Sequence, residues 1–246
     1  MNSYRADLHI HTCLSPCGSL EMSPSAIVEM ALARGLDAIA ITDHNSTLQC
    51  LEVQKLGAEA GLTVFAGAEV TTLEEAHCIA LFPTDDARSA FQSYMDKHLP
   101  PIPNNPERFG DQVWVNSRNE IMGEAPYLLI SALDQSVDRI AATVKRLGGI
   151  FTAAHVERPS FSLIGQLGFI DPSLPLDGIE FNHSERYEKL LSVHSYLRNY
   201  TQYTASDAHC PEQIGSRYSF WQTEKLSFEN LLMAFRRENG HSIYTV

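Results

Sequence analysis

Apolar residues fall in short runs, separated by stretches in which they recur every three or four positions, and the two patterns alternate almost from end to end. The runs Arg5 to His11, Ala38 to Thr42, Thr63 to Ala66, His77 to Phe82, Gly149 to Ala154, Gly178 to Phe181 and Gln202 to Ala205 predict seven strands, before a C-terminal one at Ser242 to Val246. Between them the helical period returns. Ser23 caps a helix that has Pro24 in its first turn, carries Ile27, Met30 and Ala31, and stops at Gly35. Other helices are predicted from Gln135 to Leu147, from Ser184 to Tyr200, and from the Ser227 cap through Phe235. Strands alternating with helices imply an α/β protein with a largely parallel sheet, here one domain over residues 1–246.

Residues 83–133 break the alternation. Pro100, Pro101, Pro103 and Pro106 precede Val113-Trp114-Val115 and Glu120-Ile121-Met122, which flank Asn116 to Asn119 as the arms of a β-hairpin. The segment reads as an insertion after the fourth strand, serving as decoration or as a lid.

Chemistry enters at the strand ends. His44, Glu69, His155, His183 and Asp207 each follow an apolar β-run, and in a barrel of parallel strands those ends converge on one face. The first strand carries Asp7-Leu8-His9-Ile10-His11, and its period of two sends His9 and His11 to the same side. Thr42-Asp43-His44 and Ser206-Asp207-Ala208-His209 repeat the pairing of Asp with His. Imidazole nitrogen with carboxylate oxygen suits zinc, manganese or iron, so three such clusters predict a metal site without fixing the metal. Asp7 and Asp43, each beside a candidate ligand, are read as groups that fix a histidine tautomer. His98, His194 and His241 lack such a setting.

Composition narrows the class. With 44% hydrophobic and 20% charged residues the chain resembles an ordinary globular protein, and no apolar run is long enough to span a bilayer. The polar start, Met1 to His11, lacks the form of a signal peptide, and five cysteines without regular pairing agree with a reducing compartment, so a cytoplasmic location is expected. A formal charge of −12 disfavours stable binding along a nucleic-acid duplex and favours a small phosphorylated substrate, such as a nucleotide, drawn in by bound cations.

Together, Asp7-Leu8-His9-Ile10-His11-Thr12, Thr42-Asp43-His44-Asn45, Gly67-Ala68-Glu69-Val70, His77, His155 and Ser206-Asp207-Ala208-His209 resemble the ordered motifs of the PHP (polymerase and histidinol phosphatase) family. The stretch from Ala154 to Ser162 and Phe109-Gly110-Asp111-Gln112 further resemble a bacterial branch of stand-alone members. The resemblance implies a distorted barrel of seven parallel strands and two or three divalent ions. It assigns one ion to His9, His11, Glu69 and Asp207, with Glu69 bridging to a second at His77 and His155, and a third to His44 and His209. Family members with a full three-ion site have a further histidine where this chain has Cys17, a thiol that favours zinc or iron over manganese if it ligates.

Such a site suits hydrolysis of phosphate esters, because divalent cations activate water and neutralise phosphoryl charge. Arg158, three residues past His155, is a candidate phosphate contact or surface ion pair, and His183 a candidate substrate contact. His209 and His183 are alternative donors of the leaving-group proton. The leading expectation is a metal-dependent phosphoesterase acting on a small phosphomonoester or nucleotide. A phosphodiesterase or exonuclease, a non-catalytic metal-binding module and an amidohydrolase-like enzyme stay open as alternatives.

Overall fold

In the computed structural model, which describes residues 1–245, nine strands form one strongly curved sheet and helices cover its outside. The strands are β1 (Asn2–Ile10), β2 (Ala38–Ile41), β3 (Thr63–Thr71), β4 (His77–Phe82), β7 (Ile150–Ala153), β8 (Gly178–Glu180), β9 (Thr201–Tyr203), β10 (Ser219–Thr223) and β11 (Ser242–Thr245). Their order is β11-β10-β1-β2-β3-β4-β7-β8-β9, and β11 lies alongside β9, so the barrel nearly closes. The remaining strands, β5 (Val113–Val115) and β6 (Ile121–Glu124), form the separate hairpin expected from the Trp114 region. Val246, the last residue of the expected C-terminal strand, lies outside the described residues.

The seven expected barrel strands are present, but the sheet is less parallel than the alternation implies. β1, β2 and β3 pair in parallel, as do β7, β8 and β9, whereas β4 runs antiparallel to both its neighbours. The cause is the length of β3, which continues past Ala66 to Thr71 and leaves only a tight turn, with Thr72 N donating to Ala76 O at 2.9 Å, before β4. A parallel neighbour needs a crossover of a dozen or more residues, so the turn enforces a hairpin. His77 thereby starts β4 opposite Thr71, on the rim where β3 ends. β10, which the sequence reading lacked, pairs antiparallel with β1 and β11, and its alternating burial puts Trp221 inside.

The predicted helices are α1 (Pro24–Ala33), α5 (Val137–Arg146), α7 (Ser184–Val193) and α8 (Phe228–Arg236), and the Ser23 and Ser227 hydroxyls accept from Ala26 N and Asn230 N as N-caps. The Ser184 to Tyr200 stretch divides, because a 3₁₀ turn at Ser195–Asn199 follows α7. Four helices were not anticipated: α2 (Cys50–Ala60), α3 (Asp85–His98), α4 (Pro106–Phe109) and α6 (Leu163–Leu167). α3 occupies the first part of the presumed insertion, capped by Thr84 and burying Phe91 and Met95. The irregular part is therefore 99–133. It is tied to the barrel by Asn45 Nδ2, which donates to the Leu129 and Ser131 carbonyls, and by a reciprocal pair between Gln49 and the Val115 backbone. Leu14, in the loop after β1, packs beneath it with Ala125 and Leu129, so the insertion borders the barrel rim that carries His11 and His44.

Candidate metal centre

Two short backbone pairings assemble the centre. His11 N donates to Ala208 O at 3.0 Å and Ala208 N to His9 O at 3.3 Å, zipping the segment after β9 onto the end of β1. Ile10 and Ala208 face the core, and the residues on either side of each, His9, His11, Asp207 and His209, are delivered to the cluster. On the other side Asn45 N donates to Glu69 O, and Glu69 N lies within reach of the Thr42 and Asp43 carbonyls, which docks the His44 loop against β3. Asp207 (φ 53°), His155 (φ 30°) and Asn45 (φ 44°) all adopt left-handed backbone without being glycine. Such strain persists where the surroundings fix a functional geometry.

Four buried ligand atoms face one another at the centre. His9 Nε2 and His11 Nε2 are 3.1 Å apart, each 3.3 Å from Asp207 Oδ1 and 3.4 Å from an oxygen of Glu69. Glu69 serves two sides at once, with Oε1 3.0 Å from His77 Nδ1 and 3.1 Å from His155 Nε2, and Oε2 3.0 Å from His44 Nδ1. Three groups offer donor atoms within 4.8 Å of one another: His9 with His11, Glu69 and Asp207; His44 with Glu69 and His77; and His11 with His44 and His209. The first matches the set implied by the resemblance. The others redistribute it, since His44 joins Glu69 and His77 while His155 reaches Glu69 Oε1 from outside those groups.

The donor chemistry fits cations. His44 Nδ1 is buried and close to Glu69 but makes no hydrogen bond with it, and His155 Nδ1 is also buried without a partner. The far nitrogens of the first-strand pair are already engaged, which turns Nε2 toward the centre. His9 Nδ1 donates to Glu180 at 2.9 Å, and His11 Nδ1 donates to Ser15 Oγ, which donates in turn to Asp43 Oδ1 at 2.7 Å.

These contacts change the roles expected of the neighbouring acids. Asp7 accepts from Ser206 N and Gly215 N, so it anchors the Asp207 segment instead of a histidine ring. Asp43 acts on His11 through Ser15 and also holds Thr12. Glu180, absent from the sequence reading, is the acid that orients His9. Its signal was an acidic residue inside the buried run Gly178-Ile179-Glu180-Phe181, since a fully buried carboxylate almost always has a partner.

Electrostatics follow from the burial of three carboxylates among histidines. Burial works against a charge on His9, yet Glu180, Asp207 and Glu69 together raise its pKa well above the ordinary value. Burial likewise opposes protonation of His11, but hydrogen bonds to Asp207 and Glu69 lift it to about 9. His44 and His209, where burial prevails, fall to about 3 and about 4. Burial opposes ionisation of Glu69 and Asp207, and the surrounding histidines nevertheless hold both below the usual carboxylate range.

The remaining candidates sit at the rim. Arg158 Nη2 donates to Asp207 Oδ2 at 2.6 Å, so its guanidinium adjoins the first group. His209 directs Nδ1 at the Asp207 carbonyl at 2.8 Å, leaving Nε2 as its free donor atom. His183 is exposed ahead of α7, outside the three groups, and its backbone N–H donates to Glu157. Cys17 is also exposed and in none of the groups, and burial of its surroundings with the nearby Glu69 pushes its thiol up to about 12.

Residues 7–147, more than half the chain, match the PHP domain, and that span holds His9, His11, His44, Glu69 and His77 of the cluster. The chain belongs to the PHP domain family. A relative from Methanocaldococcus jannaschii, the uncharacterised protein MJ1587, is 38% identical over 91 residues, covering 33% of this PHP chain and 52% of its own length. Among solved structures, the lesion-specific endonuclease PfuEndoQ from Pyrococcus furiosus superposes with a TM-score of 0.73 at 18% identity, covering 98% of this chain and 58% of that one. Endonuclease Q has also been solved with a 27-mer duplex substrate carrying an abasic lesion at its active site. A putative metal-dependent phosphoesterase from Bifidobacterium adolescentis superposes at 0.58 with 21% identity, covering 83% and 87% of the two chains. At these identities the superpositions establish a shared fold, and the chain spans little more than half of MJ1587 and PfuEndoQ. Among the described residues, no helix is long and apolar enough to cross a membrane.

Proposed function

We propose that this PHP protein is a metal-dependent phosphoesterase acting on a small phosphomonoester or nucleotide. The observation that carries the reading is the convergence of His9, His11, Glu69 and Asp207 on one buried point, extended through Glu69 to His44 and His77. Divalent ions held there would activate water for attack on phosphorus and neutralise charge on the phosphoryl oxygens. Their nitrogen and oxygen donors accommodate zinc, manganese or iron.

The chain's own groups supply the rest. Arg158 places a guanidinium fork beside Asp207, where it can pair with a phosphoryl oxygen entering from the rim. Glu180 and Ser15 hold the His9 and His11 rings with Nε2 inward. With its Nδ1–H on a backbone carbonyl and its pKa lowered to about 4 by burial, His209 is neutral near pH 7 and suits ligation better than proton donation. The formal charge of −12 supports a small substrate over a duplex, whose phosphates demand clustered Lys and Arg.

The test is phosphate release from phosphomonoesters, nucleotides and short oligonucleotides by the metal-reconstituted protein beside Asp207→Ala. Release from monoesters, falling about a thousandfold or more in the variant, is expected if several kcal/mol of transition-state stabilisation is lost with the cluster. Cleavage of oligonucleotides alone would move the assignment to a nuclease. Silence on every ester with metal bound would refute the phosphoesterase reading.

A further inference from the structure

The loop from His155 to Ser162 straddles the metal centre. It begins with His155 at Glu69, sends Arg158 to Asp207, and ends by laying Phe161 over His77, with ring centroids 5.1 Å apart and planes 25° from parallel. Phe161 is 48% exposed, so its ring packs on His77 and leaves much of its surface open to solvent. Its backbone is left-handed, with φ at 58°, a conformation unfavourable for a bulky aromatic residue.

The surroundings hold that conformation in place. Phe161 O accepts from His77 N at 2.9 Å, Arg158 N donates to His155 O at 2.9 Å, and Ser162 Oγ donates to Arg158 O at 2.6 Å while accepting from Gly165 N. The loop is thus a braced turn that presents a ring outward. Stacked on the imidazole of a residue that contacts Glu69, Phe161 covers one side of His77 and still has ring surface free to meet a ligand.

We propose that Phe161 is the stacking platform for the base of a nucleoside phosphate whose phosphate lies at the cluster near Arg158. The proposal rests on the phosphoesterase reading for the position of the phosphate and deepens it by narrowing the substrate to nucleotides. Every nucleobase has a π-face, and stacking on an aromatic side chain strengthens binding by about tenfold per base. A sugar phosphate without a base forgoes that gain.

Calorimetry on the metal-loaded protein tests it, with the methylene phosphonate analogues of AMP, CMP and ribose 5-phosphate, which lack the scissile P–O bond, as ligands. The expected result is that each nucleotide analogue binds about tenfold more tightly than the ribose 5-phosphate analogue, that Phe161→Ala reduces the preference at least fivefold, and that Phe161→Trp retains it. Phe161→Leu, similar in bulk but without a π-face, guards against a packing defect and is expected to behave like the Ala variant. Equal affinities in the natural protein, or a preference that survives both Ala and Leu, would overturn the proposal. Because the readout is binding, it separates from the functional assignment: nucleotide preference through Phe161 without hydrolysis of any ester sinks the phosphoesterase and leaves the platform, whereas hydrolysis without preference does the reverse.

Discussion

Replacing Glu180 with Gln probes whether the cluster is built around cations. The carboxylate is fully buried, with Oε2 2.9 Å and Oε1 3.2 Å from His9 Nδ1, and Gln preserves its volume and an acceptor oxygen while removing the charge. An outer carboxylate on a ligating histidine is worth about 10- to 100-fold in metal affinity, or about 1.4–2.8 kcal/mol. Part of that is returned, because Glu180 is the foremost carboxylate favouring a proton on His9, and a metal must displace that proton. The expected net loss is therefore near the lower bound, about tenfold. Chelator-competition titrations of metal-free natural and Glu180→Gln proteins read it directly, with thermal melts to confirm folding. An affinity within twofold of the natural protein, with the fold intact, would refute the argument that Glu180 tunes His9 for a cation.

Three further outcomes follow from the same geometry. Arg158→Ala is expected to raise KM for a phosphoester about tenfold, the lower end for a charged hydrogen bond given its rim exposure, without weakening metal binding; steady-state kinetics beside metal counting would contradict this by showing metal lost at unchanged KM. Cys17→Ser is expected to leave metal stoichiometry unchanged, since Cys17 lies outside the three groups, and elemental analysis showing one ion fewer would place Cys17 in the ligand set. In the metal-free protein, His11 has a pKa raised to about 9, so its contribution is complete below the unfolded value of 6.5 and is lost as pH rises toward 9. His44 and His209, lowered to about 3 and about 4, contribute above 6.5 and lose that contribution as pH falls. Asp7, raised by burial to about 6, has lost its contribution by then and pulls the optimum slightly to the acid side. Thermal melts of metal-free protein should therefore peak somewhat below pH 6.5, and a melting temperature climbing steadily to pH 9 would contradict the assignment.

Much of this was legible in the linear pattern because it depends on neighbours in sequence. Alternation placed His9 and His11 together, and the Ser23-Pro24 and Ser227 signals marked true helix starts. The apolar runs located the seven barrel strands within a few residues. β10 was harder to see, since Ser219–Thr223 buries alternate residues around a single Trp and lacks a continuous apolar run. α3 was obscured because its helical period runs directly into Pro100, Pro101, Pro103 and Pro106, which break it.

The sequence by itself determined which residue types were available and which local elements would present them, because side-chain period and capping act over a few residues. Only the tertiary structure decided the partition of ligand atoms around Glu69, the bonding of Glu180 to His9 across 171 positions, and the docking of Arg158 on Asp207 and of Phe161 on His77. Those are distances between segments far apart in the chain, set by how the sheet curves and how its loops brace one another, and no periodicity along the sequence encodes them.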